Sequence, residues 1–223
     1  MMPVPNNDSP FLAVEGLSLS FQSRVLFQEI SLTLTKGRMA VITGESGAGK
    51  TSLLRCLFGF IQPAAGTIRL DGSELNDRSV WSLRRRMAFV QQEPSLGKGR
   101  VIDALRLPFS FKANRSADDP LHRLNEMMEI FRLPGTLLEE NVSRLSGGEK
   151  QRLALLSALT LQRELYLLDE VTSALDERSK NAVLDYLGRQ KHLTILAVSH
   201  DRRMADMSDT VLHLESPAQR GAE

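Results

Sequence analysis

Residues 44–51 read Gly44-Glu45-Ser46-Gly47-Ala48-Gly49-Lys50-Thr51, a G-x-x-x-x-G-K-[ST] pattern. An apolar run, Met39–Thr43, precedes it, and Leu53, Leu54 and Leu57 follow at helical spacing. A strand that enters a helix through such a loop is the setting in which this pattern cradles phosphates. Glycines let backbone N–H groups approach closely spaced anionic oxygens, and the helix N-terminus adds a partial positive charge beneath them. In this reading Lys50 reaches the β- and γ-phosphates of a nucleoside triphosphate, and the Thr51 hydroxyl ligates Mg²⁺.

Elsewhere the strand patterns are of two kinds. Leu17, Leu19 and Phe21 alternate with Ser18 and Ser20; Ile30, Leu32 and Leu34 repeat this, and Thr67–Leu70 gives a shorter version before Asp71-Gly72. Alternation predicts half-buried antiparallel strands. Met39–Thr43, Leu165–Leu168 and Thr194–Val198 are instead nearly all apolar, as strands covered on both faces of a parallel sheet are. Asp119-Pro120 reads as a helix start, with Leu121, Leu124, Met128 and Phe131 behind it. Asn76–Gly99 lacks a sustained period and reads as strand ends and loops, with Arg84-Arg85-Arg86 a solvated face.

Two acids close the second apolar run. Ligand sites of parallel sheets lie at the carboxyl ends of the strands, which places Asp169 beside the phosphate loop as a holder of Mg²⁺. Glu170 faces elsewhere, placed to take a proton from an attacking water. A second glycine loop, Leu145-Ser146-Gly147-Gly148-Glu149, precedes helically spaced Leu153, Leu156 and Leu159. Ser146 and Glu149 form a capping box, yet a capping box needs no paired glycines. Gly147-Gly148 therefore reads as a second anion site, most simply for a nucleotide held by another copy of the chain.

Composition narrows the classes. Lys+Arg 28 against Asp+Glu 27 gives a net charge of +1, so no global field draws the chain to nucleic acid. A single cysteine, Cys56, excludes an internal disulfide framework and reads as a buried small residue. Aromatic content of 5% argues against a base-stacking surface. Apolar runs fall far short of the ~20 residues of a membrane span, and Met1–Pro10 lacks the pattern of a signal peptide.

Taken together, these residues resemble the ATP-binding cassette (ABC) ATPase family from about Val14 to Leu214. Leu145–Glu149 looks like its signature motif, and the spacing agrees: 96 residues from Lys50 to Ser146, 23 more to Asp169, 31 more to His200. The resemblance implies an α/β fold. Its core is a P-loop NTPase (RecA-like) unit with a mostly parallel sheet, joined by an antiparallel β subdomain and an inserted helical subdomain at about 95–150. Residues 11–215 are then one domain, between a disordered 1–10 and a flexible tail at 216–223. It further implies ATP and Mg²⁺ as cofactors. Phe21 stands where the family stacks an aromatic on adenine, though it also fits as one more core residue. Gln92, whose neighbour Gln91 is easily confused with it, looks like the glutamine that senses Mg²⁺ and the γ-phosphate. His200 looks like the switch histidine, and Ser173-Ala174-Leu175-Asp176 like the loop through which two copies meet. Glu45 and Val171 depart mildly from the family pattern without removing a reacting group.

By resemblance, then, the chain is the ATPase subunit of a transporter and a homodimer on ATP binding. It works with a separate integral membrane permease, contacted at about Pro94–Asp103, as a cytoplasmic protein peripheral to the membrane. Similarity within the family points to stand-alone cassettes of the FetA/YbbL type, linked to export; lipoprotein-release and macrolide-export cassettes are the nearest competitors. The alternative is a soluble ABC ATPase of translation or DNA repair, a group that carries two cassettes or a long insertion in one chain. A nucleotide-binding module without hydrolysis would lack the base or the switch, and Glu170 and His200 are both present.

Overall fold

Alternating and fully apolar segments go into separate sheets. The computed structural model describes residues 10–21, 24–114 and 124–215. In chain order these form β1 (Leu12–Phe21), β2 (Arg24–Leu34), β3 (Met39–Thr43), α1 (Lys50–Leu57), β4 (Ala65–Leu70), β5 (Ser73–Glu74), α2 (Val80–Arg84), β6 (Met87–Val90), α3 (Val101–Ser110), α4 (Leu124–Ile130), α5 (Gly147–Thr160), β7 (Leu165–Asp169), α6 (Glu177–Arg189), β8 (Thr194–Val198), α7 (Arg202–Asp206) and β9 (Thr210–His213). The antiparallel sheet has order β2-β1-β4-β5 and the second sheet β6-β7-β8-β3-β9. Every pairing in the second is parallel, so β8 separates β7 from β3. This is the α/β, P-loop NTPase class that the motifs imply.

The parallel sheet divides the interior in two. Met39 and Val41, Tyr166 and Leu168, and Ile195 and Ala197 face one core, shared with Leu153 and Leu156 of α5 and Val183 and Leu187 of α6. Their alternates Ala40, Ile42, Leu165, Leu167, Leu196 and Val198 face the other, with Leu53, Leu54 and Leu57 of α1 and Leu17, Leu19 and Phe27 of the antiparallel sheet. A strand that feeds both cores has no polar face, which is why these runs are apolar throughout. Along β1 the burial phase shifts at Gly16, where a bulge falls between the Val14–Leu32 and Leu17–Ile30 pairs and φ is +59°.

Some expectations need correction. Asn76–Gly99 is not all strand ends and loops, for it contains α2 and the core strand β6. Nor are all three arginines solvated. Arg84 lies over the Phe58, Phe60 and Trp81 rings and donates its Nε to the Phe58 carbonyl at 2.9 Å. Arg86 grips Glu164 at 2.6 and 3.0 Å and Asp71 at 2.7 Å, while Arg85 is exposed. Val101 sits inside the core at 0% exposure rather than on a partner-facing surface. Cys56 is buried, and desolvation pushes its thiol up to about 12. The helix start at Asp119-Pro120, Leu121, and the terminal segments 1–9 and 216–223 lie outside the described residues.

Candidate nucleotide site

The phosphate loop runs from the end of β3 to α1. Its turn needs glycine at the first position: Gly44 has φ +143°, and a Cβ there would fall 2.2 Å from the Leu214 carbonyl oxygen. Leu214 is held in place by its N–H on the Thr43 carbonyl at 2.8 Å. Lys50, only 6% exposed, donates its Nζ to the carbonyls of Gly44 (2.8 Å) and Glu45 (2.9 Å). Its ammonium thus lies inside the curve of the loop, satisfied by main-chain oxygens.

The other candidate groups come from the first turn of α1 and from neighbouring strand ends. Thr51 donates Oγ1 to Oδ1 of Asp169 at 3.2 Å. Burial raises the pKa of Asp169, opposed by the hydrogen bond from Thr51. Glu170 leaves β7 with a left-handed φ of +46°. Its N–H is fixed on the Val198 carbonyl at 2.9 Å. Oε2 of Glu170 accepts from Nε2 of Gln92 at 2.9 Å, and Oε1 faces Nε2 of His200 at 3.6 Å. Gln92, Glu170 and His200 follow β6, β7 and β8, three adjacent strands, so the topology converges them. A carboxylate oriented by two side chains beside a lysine-bearing phosphate loop suits proton abstraction from water next to a γ-phosphate.

Phe21 ends β1 and is 50% exposed, so it is not one more core residue. Ser146 caps α5 as expected, with both halves of the capping box formed. Gly148 packs against the 173–176 loop, where a Cβ would meet the Ala174 carbonyl oxygen at 3.0 Å. Gly147 is different, since a Cβ there would meet nothing within 4 Å. Asp176 serves α6 as its N-cap, accepting from the N–H groups of Arg178 and Ser179. Glu45, Ser46, Gly47, Ala48 and Gly49 complete the loop, and Gly49 caps α1 with φ +93°.

Sequence reasoning passed over several supporting residues. Lys180 bridges Glu177 (2.7 Å) and Asp201 (3.2 Å), tying α6 to the turn that carries His200. Arg152 donates to the Phe131 and Arg132 carbonyls and to the Ser179 hydroxyl, joining α5 to α4 and α6. Gln151 donates to the Gln91 carbonyl at 3.2 Å. Their only signal in the sequence is a place one or two turns beyond a motif.

The model of the family described as ABC transporter matches residues 27–173. The protein named "Probable iron export ATP-binding protein FetA" of Escherichia coli is 32% identical, over 95% of this chain and 94% of its own. The energy-coupling factor transporter ATP-binding protein EcfA1 of Geobacillus kaustophilus is 34% identical, over 91% and 75%. In fold, the chain superposes with a TM-score of 0.81 on the dimeric cassette MJ0796 bound to ADP and Pi, at 22% identity, covering 92% and 96%.

Proposed function

Because this chain belongs to the ABC transporter family and is one of its ATP-hydrolysing subunits, we propose that it drives an exporter whose cargo is iron or a related metal. The observation that carries this reading is the near end-to-end similarity to a protein named for iron export, over 95% and 94% of the two chains. Mg²⁺ fits the site. A buried carboxylate whose ionised form is disfavoured by desolvation needs a cation, and Thr51, Asp169 and Gln92 offer the oxygen donors that Mg²⁺ selects. Bound there, Mg²⁺ would neutralise charge on the phosphates. Lys50 binds and Phe21 stacks the nucleotide, Glu170 takes the proton of the attacking water, His200 holds the γ-phosphate, and Gln92 senses Mg²⁺ and the γ-phosphate while donating to Glu170.

Two copies then meet head to tail, each ATP lying between residues 44–51 of one and Ser146–Gly148 of the other, with Asp176 beside it. Gly147 supports this: nothing among the described residues requires a missing side chain there, so the open space suits a group from outside. A separate integral membrane permease receives the stroke, and the chain sits peripherally on the inner face of the membrane. Among the described residues no helix is long and apolar enough to cross a membrane. A contact at about Pro94–Asp103 is supported by a cleft of about 620 Å³ whose lining includes Pro94, Ser95, Leu96, Asn141 and Ser143. The partner-facing residues to change are therefore Ser95 and Leu96; alanine at both abolishes permease-stimulated hydrolysis and spares the basal rate.

The test is transport by the chain with its permease in vesicles whose cassettes face outward. ATP-driven accumulation of iron in the lumen supports export. Movement of cargo toward the cassette side overturns it and favours the second reading, an energy-coupling role like that of the EcfA1 relative, which is 34% identical.

A further inference from the structure

Gln151 lies in the second turn of α5 and is 1% exposed. Its Nε2 donates to the Gln91 carbonyl at 3.2 Å, and its Oε1 is the single buried side-chain polar atom among the described residues without a hydrogen-bond partner. The next residue along, Gln92, donates to Glu170 at 2.9 Å. So a continuous path runs from the start of α5 through the Gln151 carboxamide to the main chain before Gln92, and from Gln92 to the proton acceptor. The same helix begins at Ser146, Gly147 and Gly148.

A buried acceptor without a donor is costly, and an apolar side chain of similar volume removes the cost. A carboxamide differs from such a side chain in having two ends. One end here holds a carbonyl of the segment that leaves β6; the other is free to take an N–H of the same segment. We propose that Gln151 is a positioning residue for hydrolysis. It holds the Gln91 carbonyl so that Gln92 stays on Glu170, and its Oε1 accepts the N–H of Gln92 or Glu93 when that segment shifts. The part of this that joins two nucleotide sites rests on the head-to-tail reading; the part within one chain does not.

The experiment compares Gln151→Met, a near-isosteric change without hydrogen-bonding ends, with Gln92→Ala and with the double variant. Misplacing a catalytic group without removing it costs about tenfold to a hundredfold in rate. Gln151→Met is expected to lower kcat by about tenfold, to leave KM for ATP within about twofold, and to keep or raise Tm. In the Gln92→Ala background the same change is expected to cost nothing further in kcat, because its effect passes through Gln92. The proposal is overturned by wild-type kcat in Gln151→Met, by losses that multiply in the double variant, or by a fall in Tm that accounts for the lost rate. Should Gln151→Met fail to fold, Gln151→Asn keeps an amide but shortens it beyond reach of the carbonyl, and the same split between kcat and KM decides. Light scattering of the Glu170→Gln variant with ATP runs in parallel. A monomer there removes the two-site reading and leaves the double-variant result standing.

Discussion

Thr51 Oγ1 donates to Asp169 Oδ1 at 3.2 Å, a hydrogen bond between residues 118 positions apart that joins the phosphate loop to the end of β7. It gives a carboxylate only 1% exposed one neutral donor. That does not repay its desolvation, and the pKa of Asp169 is raised.

An acid whose pKa is higher folded than unfolded stabilises the fold below its unfolded value of 3.8 and loses that contribution as pH rises through the folded value. At neutral pH, without nucleotide, the desolvated Asp169 carboxyl burdens the fold. Asp169→Asn, which still accepts from Thr51, is expected to raise Tm in metal-free buffer at pH 7, with the gap closing toward pH 3.8. Its ATPase rate at limiting Mg²⁺ is expected to fall about 10–100-fold. A Tm scan across pH, paired with a Mg²⁺ titration of activity, checks both.

Glu170→Gln keeps shape and loses the proton acceptor. ATP binding is expected to persist while turnover drops about 10²–10⁴-fold. Lys50→Ala separates the two functions the other way: it removes the charge that faces the phosphates, so binding weakens. Nucleotide titration by fluorescence beside single-turnover hydrolysis distinguishes the pair, and near-normal turnover in Glu170→Gln would assign the base elsewhere.

Adjacent glycines give opposite results if two copies sandwich the nucleotide. Gly148→Ala drives a methyl group against the Ala174 carbonyl oxygen at 3.0 Å and is expected to lower Tm. Gly147→Ala meets open space and is expected to hold or raise Tm, by up to about 1 kcal/mol in stability, while abolishing ATP-dependent dimers. Static light scattering with ATP on a Glu170→Gln background reads the second effect.

Glu164 contributes to the acid limb of stability. Hydrogen bonds from Arg86, the larger cause, and from Lys36 hold its carboxyl down to about 2. A lowered acid pKa stabilises above the unfolded value of 4.5 and is lost as pH falls through about 2. The pair is about a third exposed, so screening leaves about 1 kcal/mol. Glu164→Gln is therefore expected to lower Tm by about 2–4 °C at pH 7. The difference shrinks between pH 4.5 and 2.

What could be read in advance followed from local rules. β3, β7 and β8 were visible because a strand between two cores must be apolar at every position, and Lys50, Thr51 and Asp169 because motif and strand end adjoin in sequence. β6 has four residues behind three arginines, and its signal was masked by charges whose partners, Glu164 and the Phe58–Trp81 rings, lie elsewhere in the chain. Val101 falls in the Pro94–Asp103 contact that the resemblance implies, yet it is buried, and Leu105 one helical turn on shares its burial. Gln92 came from resemblance rather than from its own surroundings. Its bond to Glu170 spans 78 residues and exists because β6 and β7 are neighbours.

The left-handed turn at Glu170 sets a conflict between durability and work. A residue with a Cβ at φ +46° carries backbone strain on the order of 1–2 kcal/mol, which glycine would release. Selection for heat resistance alone would therefore favour Glu170→Gly, and the lineage that accepted it would gain a sturdier protein with no base to deprotonate water. Directed evolution of this chain for thermal tolerance needs a screen for turnover at every round, because Glu170, the proposed base, is one of five non-glycine residues among those described that hold a left-handed φ which glycine would relieve.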